Sequence, residues 1–297
     1  MKTYHLKWDK HRLALGHRTC IMGVLNVTPD SFSDGGNFFS FEDAVYQGQK
    51  LFEDGADILD IGGESTRPFS DPVSEEEEIR RVVPVIERLA NRISIPISID
   101  TTKASVARQA IKAGASMIND ISSLRFDSKM ADVAVEYTVP VILMHMLGTP
   151  KSMQTEPVYV DPITEIKAFF EKAVDRAENQ GISRSKVIID PGIGFGKTLE
   201  HNLLLIKYLK EFKTLVVPIM IGTSRKAFLR NILKDPSVED IDPESTMVET
   251  GSQASVAAAV LNGAHMVRVH DVANTRITVK IVDAIKNAQN TSQDLSR

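Results

Sequence analysis

Apolar and polar positions alternate along this chain in two registers. Short runs that are apolar at nearly every position, CIMGVLN (20–26), DILDIG (57–62), PISID (96–100), SMIND (116–120), VPVILMH (139–145), VIID (187–190), VVPIMIG (216–222) and HMVRVH (265–270), are separated by longer stretches. A strand covered on both faces needs this continuous apolar character. The stretches between them predict helices at 41–54, 75–90, about 127–137, 161–180, 199–209, 249–262 and 274–289, with another ending at Gly114. Ser74 suits an N-cap with Glu77 three residues on, and Thr101 or Thr102 can cap the helix after the third run. Glutamates 75–78 read as a solvated face at the favourable end of their helix dipole. Three junctions, EDGADILDIG, KAGASMINDI and LNGAHMVRVH, each place a glycine where a helix can stop in the left-handed conformation before a buried strand begins.

Eight such strands alternating with helices predict an α/β fold, a (β/α)8 TIM barrel rather than an open doubly wound sheet. Weak alternation over 4–17 predicts a short N-terminal hairpin or lead-in covering one end of the core. The chain reads as one domain, 1–297, with the barrel proper at about 20–290; barrels of this length are ordinary. Hydrophobic content of 42% supports a large core, and a net charge of -4 offers no basic surface for nucleic acid. No apolar run approaches the length of a membrane span, and the single cysteine, Cys20, sits among apolar neighbours and suits a reducing, cytoplasmic compartment.

The stretch VIIDPGIGFGKT (187–198) looks at first like a phosphate loop. Pro191 stands where the G-x-x-x-x-G-K-[ST] pattern needs its first glycine, and Lys197 where G-x-G-x-x-G needs its last. The feature left to explain is Asp190, held at a strand end. In a barrel all strand C-termini open on one mouth. Asn26, Asp60, Asp100, Asn119, His145, Asp190, Ser224 with Lys226, and Arg268 with His270 therefore converge. Asp100, Asn119, Asp190 and Lys226 offer paired donors and acceptors for a flat polar heterocycle, while Asn26, Arg67, Arg268 and His270 suit a polyanion or its metal. Asp60 and Asp120 read equally well as structural partners, and His145 as a packed core histidine. No HExxH, cysteine ligand set or EF-hand suggests a tightly held metal, and no G-x-S-x-G elbow suggests a serine nucleophile.

The colinear segments MGVLNVTPDSFSDGG (22–36), DILDIGGESTRP (57–68), ISIDTTK (97–103), MINDIS (117–122), ILMHMLGTP (142–150), IIDPGIGFGK (188–197), GTSRKAF (222–228) and VRVHDV (267–272) resemble the dihydropteroate synthases, pterin-binding barrels of folate synthesis. The corrinoid-dependent methyltransferases share parts of the central motifs but not the TPDSFSDGG, ESTRP and SRK set. The resemblance implies condensation of 6-hydroxymethyl-7,8-dihydropterin diphosphate with 4-aminobenzoate. It assigns the pterin to Asp100, Asn119, Met144, Asp190, Phe195, Gly222 and Lys226, and the diphosphate to Asn26, Thr66, Arg67, Arg268 and His270. It assigns aminobenzoate to Pro68, Phe195, Lys226 and the backbone at Ala227, Mg2+ to Asn26 with Asp34 nearby, and catalysis to Asp100, Asp190, Lys226, Arg268 and His270. It further implies a homodimer through late helices. Ala227 departs from the serine many relatives carry there, which removes a hydroxyl from the aminobenzoate carboxylate.

Overall fold

Two antiparallel strands, β1 (Tyr4–Trp8) and β2 (His11–Leu15), open the chain as the expected hairpin, with Leu6, Trp8, Leu13 and Leu15 buried on one face. The computed structural model describes residues 2–28, 41–65, 70–153 and 157–288. After the hairpin come β3 (Cys20–Asn26), α1 (Phe41–Glu53), β4 (Ile58–Gly62), α2 (Glu75–Ala90), β5 (Ile97–Asp100), α3 (Ala104–Ala113), β6 (Met117–Asp120), α4 (Met130–Tyr137) and β7 (Val141–Met144). The second half runs α5 (Pro162–Asn179), β8 (Val187–Asp190), α6 (Leu199–Lys207), β9 (Met220–Ile221), α7 (Ala227–Leu233), α8 (Thr246–Leu261), β10 (Met266–Val269) and α9 (Val272–Asn287).

Strands β3 to β10 pair in parallel in the order β8-β7-β6-β5-β4-β3-β10-β9, and a parallel bridge between Ile189 and Ile219 joins the two ends into the barrel. The closing strand is the shortest. Pro218 has no N–H to give a ladder, and Val216 sits at φ 59°, so the run expected at 216–222 keeps regular pairing only at Met220–Ile221. The glycines at the three repeated junctions adopt left-handed φ, 105° at Gly55, 119° at Gly114 and 113° at Gly263, and each lies three residues before the next strand, as the repeated motif predicts.

One apolar layer lies between the strands and the helices, from Ile21 and Leu59 to Phe170 and Phe212. A second fills the bottom of the barrel: Met22, Ile58, Met117, Ile142, Ile188, Met220 and Met266 pack against Leu6, Trp8, Leu13 and Leu15 of the hairpin. The hairpin therefore plugs the end where strands begin, leaving the end where they finish for a ligand.

Three local expectations change. Ser74 caps α2 by accepting the Glu77 N–H at 3.2 Å, but Glu77 pairs with Arg80 and Arg81 rather than closing a capping box. No threonine caps α3; the Ala104 N–H is taken at 2.8 Å by the Asp127 carboxylate, brought from 23 residues on. Of the four glutamates expected to face solvent, Glu78 is fully buried. It continues the stripe of Val82, Val85, Ile86 and Leu89, so helix periodicity carries it inward.

Candidate active site

Register puts the polar strand ends at similar heights: Gly62 opposite Asp100, Asp100 opposite Asn119, and Met144 opposite Asp190. Asp100, Asn119, Met144 and Asp190 line one cleft with Phe195, Gly222, Ser224, Lys226, Arg268 and His270. Asp100, Asn119 and Asp190 are 9%, 3% and 5% exposed, so whatever they bind is held away from bulk water. Ile121, Met144 and Phe195, with Met146 and Met153 behind them, make an apolar wall to one side. A flat ring with a polar edge matches a cleft of this make-up.

Arg268 organises the carboxylates. Its Nε donates to Asp60 Oδ2 at 2.6 Å and its Nη2 to Asp100 Oδ2 at 2.7 Å, while Asn119 Nδ2 donates to the same Asp60 oxygen at 2.9 Å. The second oxygens, Asp60 Oδ1 and Asp100 Oδ1, are buried with no hydrogen-bond partner among the described residues. An acceptor left this way in a cleft calls for a donor on the ligand. Burial, with Asp60, Glu78 and Asp120 nearby, pushes Asp100 up toward about 7 against the pull of Arg268. Arg268 itself is held above its ordinary value by the two carboxylates, which outweigh its burial.

Asp190 leaves β8 into the glycine loop, and Gly192 N–H donates to its Oδ1 at 2.8 Å, fixing the carboxylate rotamer. Burial raises Asp190 despite that bond and the charges of Lys226, Arg268 and Lys197. Gly192 is required by space as well as by φ (71°), since a Cβ there would lie 2.0 Å from the His145 carbonyl oxygen. Gly192→Ala is expected to cost at least about 2 kcal/mol, as strain at a positive φ is joined by a backbone clash. Thermal unfolding checks this, and an unchanged Tm would show that the loop relaxes freely.

Farther along the loop, Lys226 Nζ lies 4.1 Å from the centre of the Phe195 ring, a cation–π contact between two residues that line the cleft. Ser224 Oγ meets His270 Nδ1 at 3.1 Å and accepts the His270 N–H at 3.3 Å, tying the ends of β9 and β10 together. The loop's own lysine, Lys197, is 3% exposed and reaches back to His145 Nδ1 at 3.0 Å and the Phe195 carbonyl at 2.9 Å. Burial lowers it to about 7, and burial plus Lys197 keeps His145 neutral, at about 2. His145 is the packed histidine expected, edge-on to Phe169 at 4.8 Å.

The cleft thus gathers Asp100, Asn119, Met144, Asp190, Phe195, Gly222, Lys226, Arg268 and His270 as the sequence suggested. Asn26 ends β3 half-buried and Ala227 opens α7 exposed; neither lines the cleft. Thr66, Arg67, Pro68 and Asp34 lie outside the described residues. Asp120 proves structural, accepting the N–H groups of Ser122 and Leu124 at 2.7 and 2.8 Å. The role of Asp60 was open in the sequence, where a buried strand aspartate shows nothing of a partner 208 residues away. Among the described residues no group of three or more histidine, cysteine, aspartate or glutamate side chains is placed to hold a metal ion. Of the residues the resemblance gives to Mg2+, Asn26 is the one described, and its single neutral oxygen does not by itself build a resident site.

A closed parallel barrel whose mouth offers buried acceptors against an apolar wall is a heterocycle-binding barrel. The family model for pterin binding enzymes matches residues 22–270. A dihydropteroate synthase of Synechocystis is 46% identical over 270 residues, covering 91% of each chain. Two solved structures superpose with TM-scores of 0.88: a Yersinia pestis dihydropteroate synthase in complex with a sulfonamide drug (42% identical, covering 96% of this chain and 100% of that one) and a Xanthomonas albilineans dihydropteroate synthase with 4-aminobenzoic acid (41%, 97% and 100%). This chain belongs to the dihydropteroate synthase family.

Proposed function

We propose that the cleft binds 6-hydroxymethyl-7,8-dihydropterin diphosphate and joins it to 4-aminobenzoate, releasing diphosphate. The observation that carries the reading is the pair of buried carboxylates, Asp100 and Asp190, in one cleft with Asn119, where Asp100 Oδ1 has no donor among the described residues. The amino-pyrimidinone edge of a pterin brings several N–H donors and a carbonyl, which carboxylates, an amide and the Lys226 ammonium satisfy. The apolar wall of Ile121, Met144 and Phe195 takes the ring faces.

The carbon that reacts is the methylene outside the ring. Its bond to the leaving oxygen breaks early because the ring delocalises the positive charge, and Asp100 and Asp190 stabilise that cation from a low-dielectric site. Arg268 and His270 line the same cleft, where they receive the departing diphosphate; the fork of Arg268 has N–H groups beyond the two given to Asp60 and Asp100. Thr66, Arg67 and Asn26 complete the diphosphate end in this reading, and Asn26 would offer an oxygen to a Mg2+ carried in by the diphosphate, whose charge would offset that of the leaving group. The arylamine then attacks the carbon, with its ring near Phe195 and Pro68 and its carboxylate toward Lys226 and the first N–H of α7 at Ala227. No covalent bond to the protein forms.

Incubation with the dihydropterin diphosphate, 4-aminobenzoate and Mg2+, following diphosphate with and without the amine, tests the reading. Stoichiometric formation of 7,8-dihydropteroate and diphosphate is expected; a pterin–protein adduct, or release without any dihydropteroate, would overturn it. The enzyme is further read as a cytoplasmic homodimer. No helix among the described residues is long and apolar enough to cross a membrane. Ile277, Ile281 and Ile285 stand four apart on α9 at 65%, 58% and 61% exposure, an apolar stripe suited to a second copy. Sedimentation at micromolar concentration giving only monomer would remove the dimer.

A further inference from the structure

Asp60 acts on the cleft without lining it. Its side chain is completely buried. Register sets it opposite Ser98, while Gly62, two residues on, stands opposite Asp100, so Asp60 lies one inward-facing position deeper than the carboxylate at the mouth. From there a single oxygen, Oδ2, accepts from two residues that do line the cleft: Arg268 Nε at 2.6 Å and Asn119 Nδ2 at 2.9 Å. These partners come from β10 and β6, each two strands from β4 in the sheet.

A counter-charge for Arg268 does not by itself call for Asp60. A guanidinium beside one carboxylate commonly makes two parallel bonds, one to each oxygen, and Asp100 already receives Nη2 at 2.7 Å. That pairing would balance the charge and leave Asp100 with both oxygens occupied. With Nε drawn to Asp60 the fork is split, so Asp100 gives one oxygen to the arginine and its Oδ1 has no partner among the described residues. Two buried carboxylates then share one guanidinium, an arrangement whose desolvation cost a single ion pair avoids. The bond to Asn119 has a second effect. A carboxylate oxygen only accepts, so the amide must turn its NH2 branch to Asp60, and its carbonyl branch points away from it.

We propose that Asp60 is a positioning residue that sets the pattern of acceptors in the cleft: it keeps Asp100 Oδ1 open by splitting the Arg268 fork, and it holds the Asn119 carbonyl toward the ligand. The consequence is selectivity for a ring edge rich in N–H groups. The inference deepens the pterin reading above and rests on it. Asp60 acts through Arg268, Asp100 and Asn119, without touching substrate.

The test compares the whole protein with three variants in titrations without turnover. The probes are 6-hydroxymethylpterin and its 2,4-dioxo counterpart, in which a carbonyl replaces the amino group. The parent is expected to prefer the amino ring about 100-fold, the effect of setting an acceptor against acceptors in a buried site. Asp60→Leu leaves Arg268 paired with Asp100, so it strands no buried charge. It should lower affinity for the amino ring about 30-fold and for the dioxo ring no more than about threefold, so the preference falls roughly tenfold. Asp60→Ser, too short to hold either partner but small and polar, should do the same, and it carries the test where Asp60→Leu does not fold. Asp60→Asn keeps an oxygen for Arg268 and Asn119 and should hold the parent's preference to within about threefold. A folded Asp60→Leu or Asp60→Ser that weakens both rings alike, or keeps the parent's preference, overturns the inference, as does a parent that binds the two rings equally. A parent that binds neither ring and forms no dihydropteroate overturns the underlying reading as well.

Discussion

An Arg268→Ala protein is expected to unfold about 3–5 kcal/mol more easily than its parent and to lose most of its turnover. The guanidinium is the described counter-charge bonded to both Asp60 and Asp100, and Asp60 is completely buried. Without it two carboxylates face each other in a low-dielectric barrel mouth, and Asp100, already raised toward about 7, climbs further. The sign of the pH effect follows. An aspartate whose folded pKa lies above its unfolded value imposes no penalty when protonated in both states. Its cost grows as pH rises from the unfolded pKa toward the folded one, and is complete above it. The deficit of the variant should therefore be larger at pH 8 than at pH 5. Urea unfolding of parent and variant at the two values reads it, and equal midpoint differences at both would contradict the assignment. Arg268→Lys should fall between, because a point charge cannot reach two carboxylates as a planar fork does.

Asp190→Asn should separate recognition from stability. Its Oδ1 accepts the Gly192 N–H, a bond an amide oxygen keeps, and the change removes a buried charge, so the fold should be as stable as the parent or slightly more so. The amide would instead present N–H to a ligand edge that itself consists of N–H groups. Pterin affinity should drop about 100-fold, the equivalent of ~3 kcal/mol for a charged hydrogen-bonding partner lost and replaced by a donor. Titration with pterin alone, without diphosphate, isolates the effect. Unchanged affinity would mean that Asp190 supports the loop and does not read the ring.

What could be read in the sequence depended on whether the cause was local. Cys20–Asn26 and Val187–Asp190 matched their predicted bounds because burial on both faces forces apolar residues at every position of a strand. The convergence of Asp100, Asn119, Asp190 and Arg268 followed from parallel topology alone. Partners across the barrel had no such signal. Asp127 capping α3, Asp60 holding Arg268 and Lys103 meeting Glu78 all join residues 23 or more positions apart. Glu78 was hidden by its three neighbours: a run of four like charges suggests solvent, although the apolar stripe of α2, followed back one turn from Val82, falls on it. Lys197 was first met as part of a failed phosphate pattern, and its role as a brace between His145 and Phe195 shows only in three dimensions.

The hairpin plug has a bearing on how the chain is made. Leu6, Trp8, Leu13 and Leu15 are synthesised long before β10, yet their cluster includes Met220 and Met266, and Thr19 is bonded to Asp283 on α9. At about 5–20 residues per second, the ribosome takes on the order of ten seconds or longer to supply β10 after the hairpin has emerged. Throughout that interval the apolar face of the hairpin has no finished floor to cover. The barrel can therefore close only after β10 has emerged, and the hairpin waits for partners made about 250 residues later.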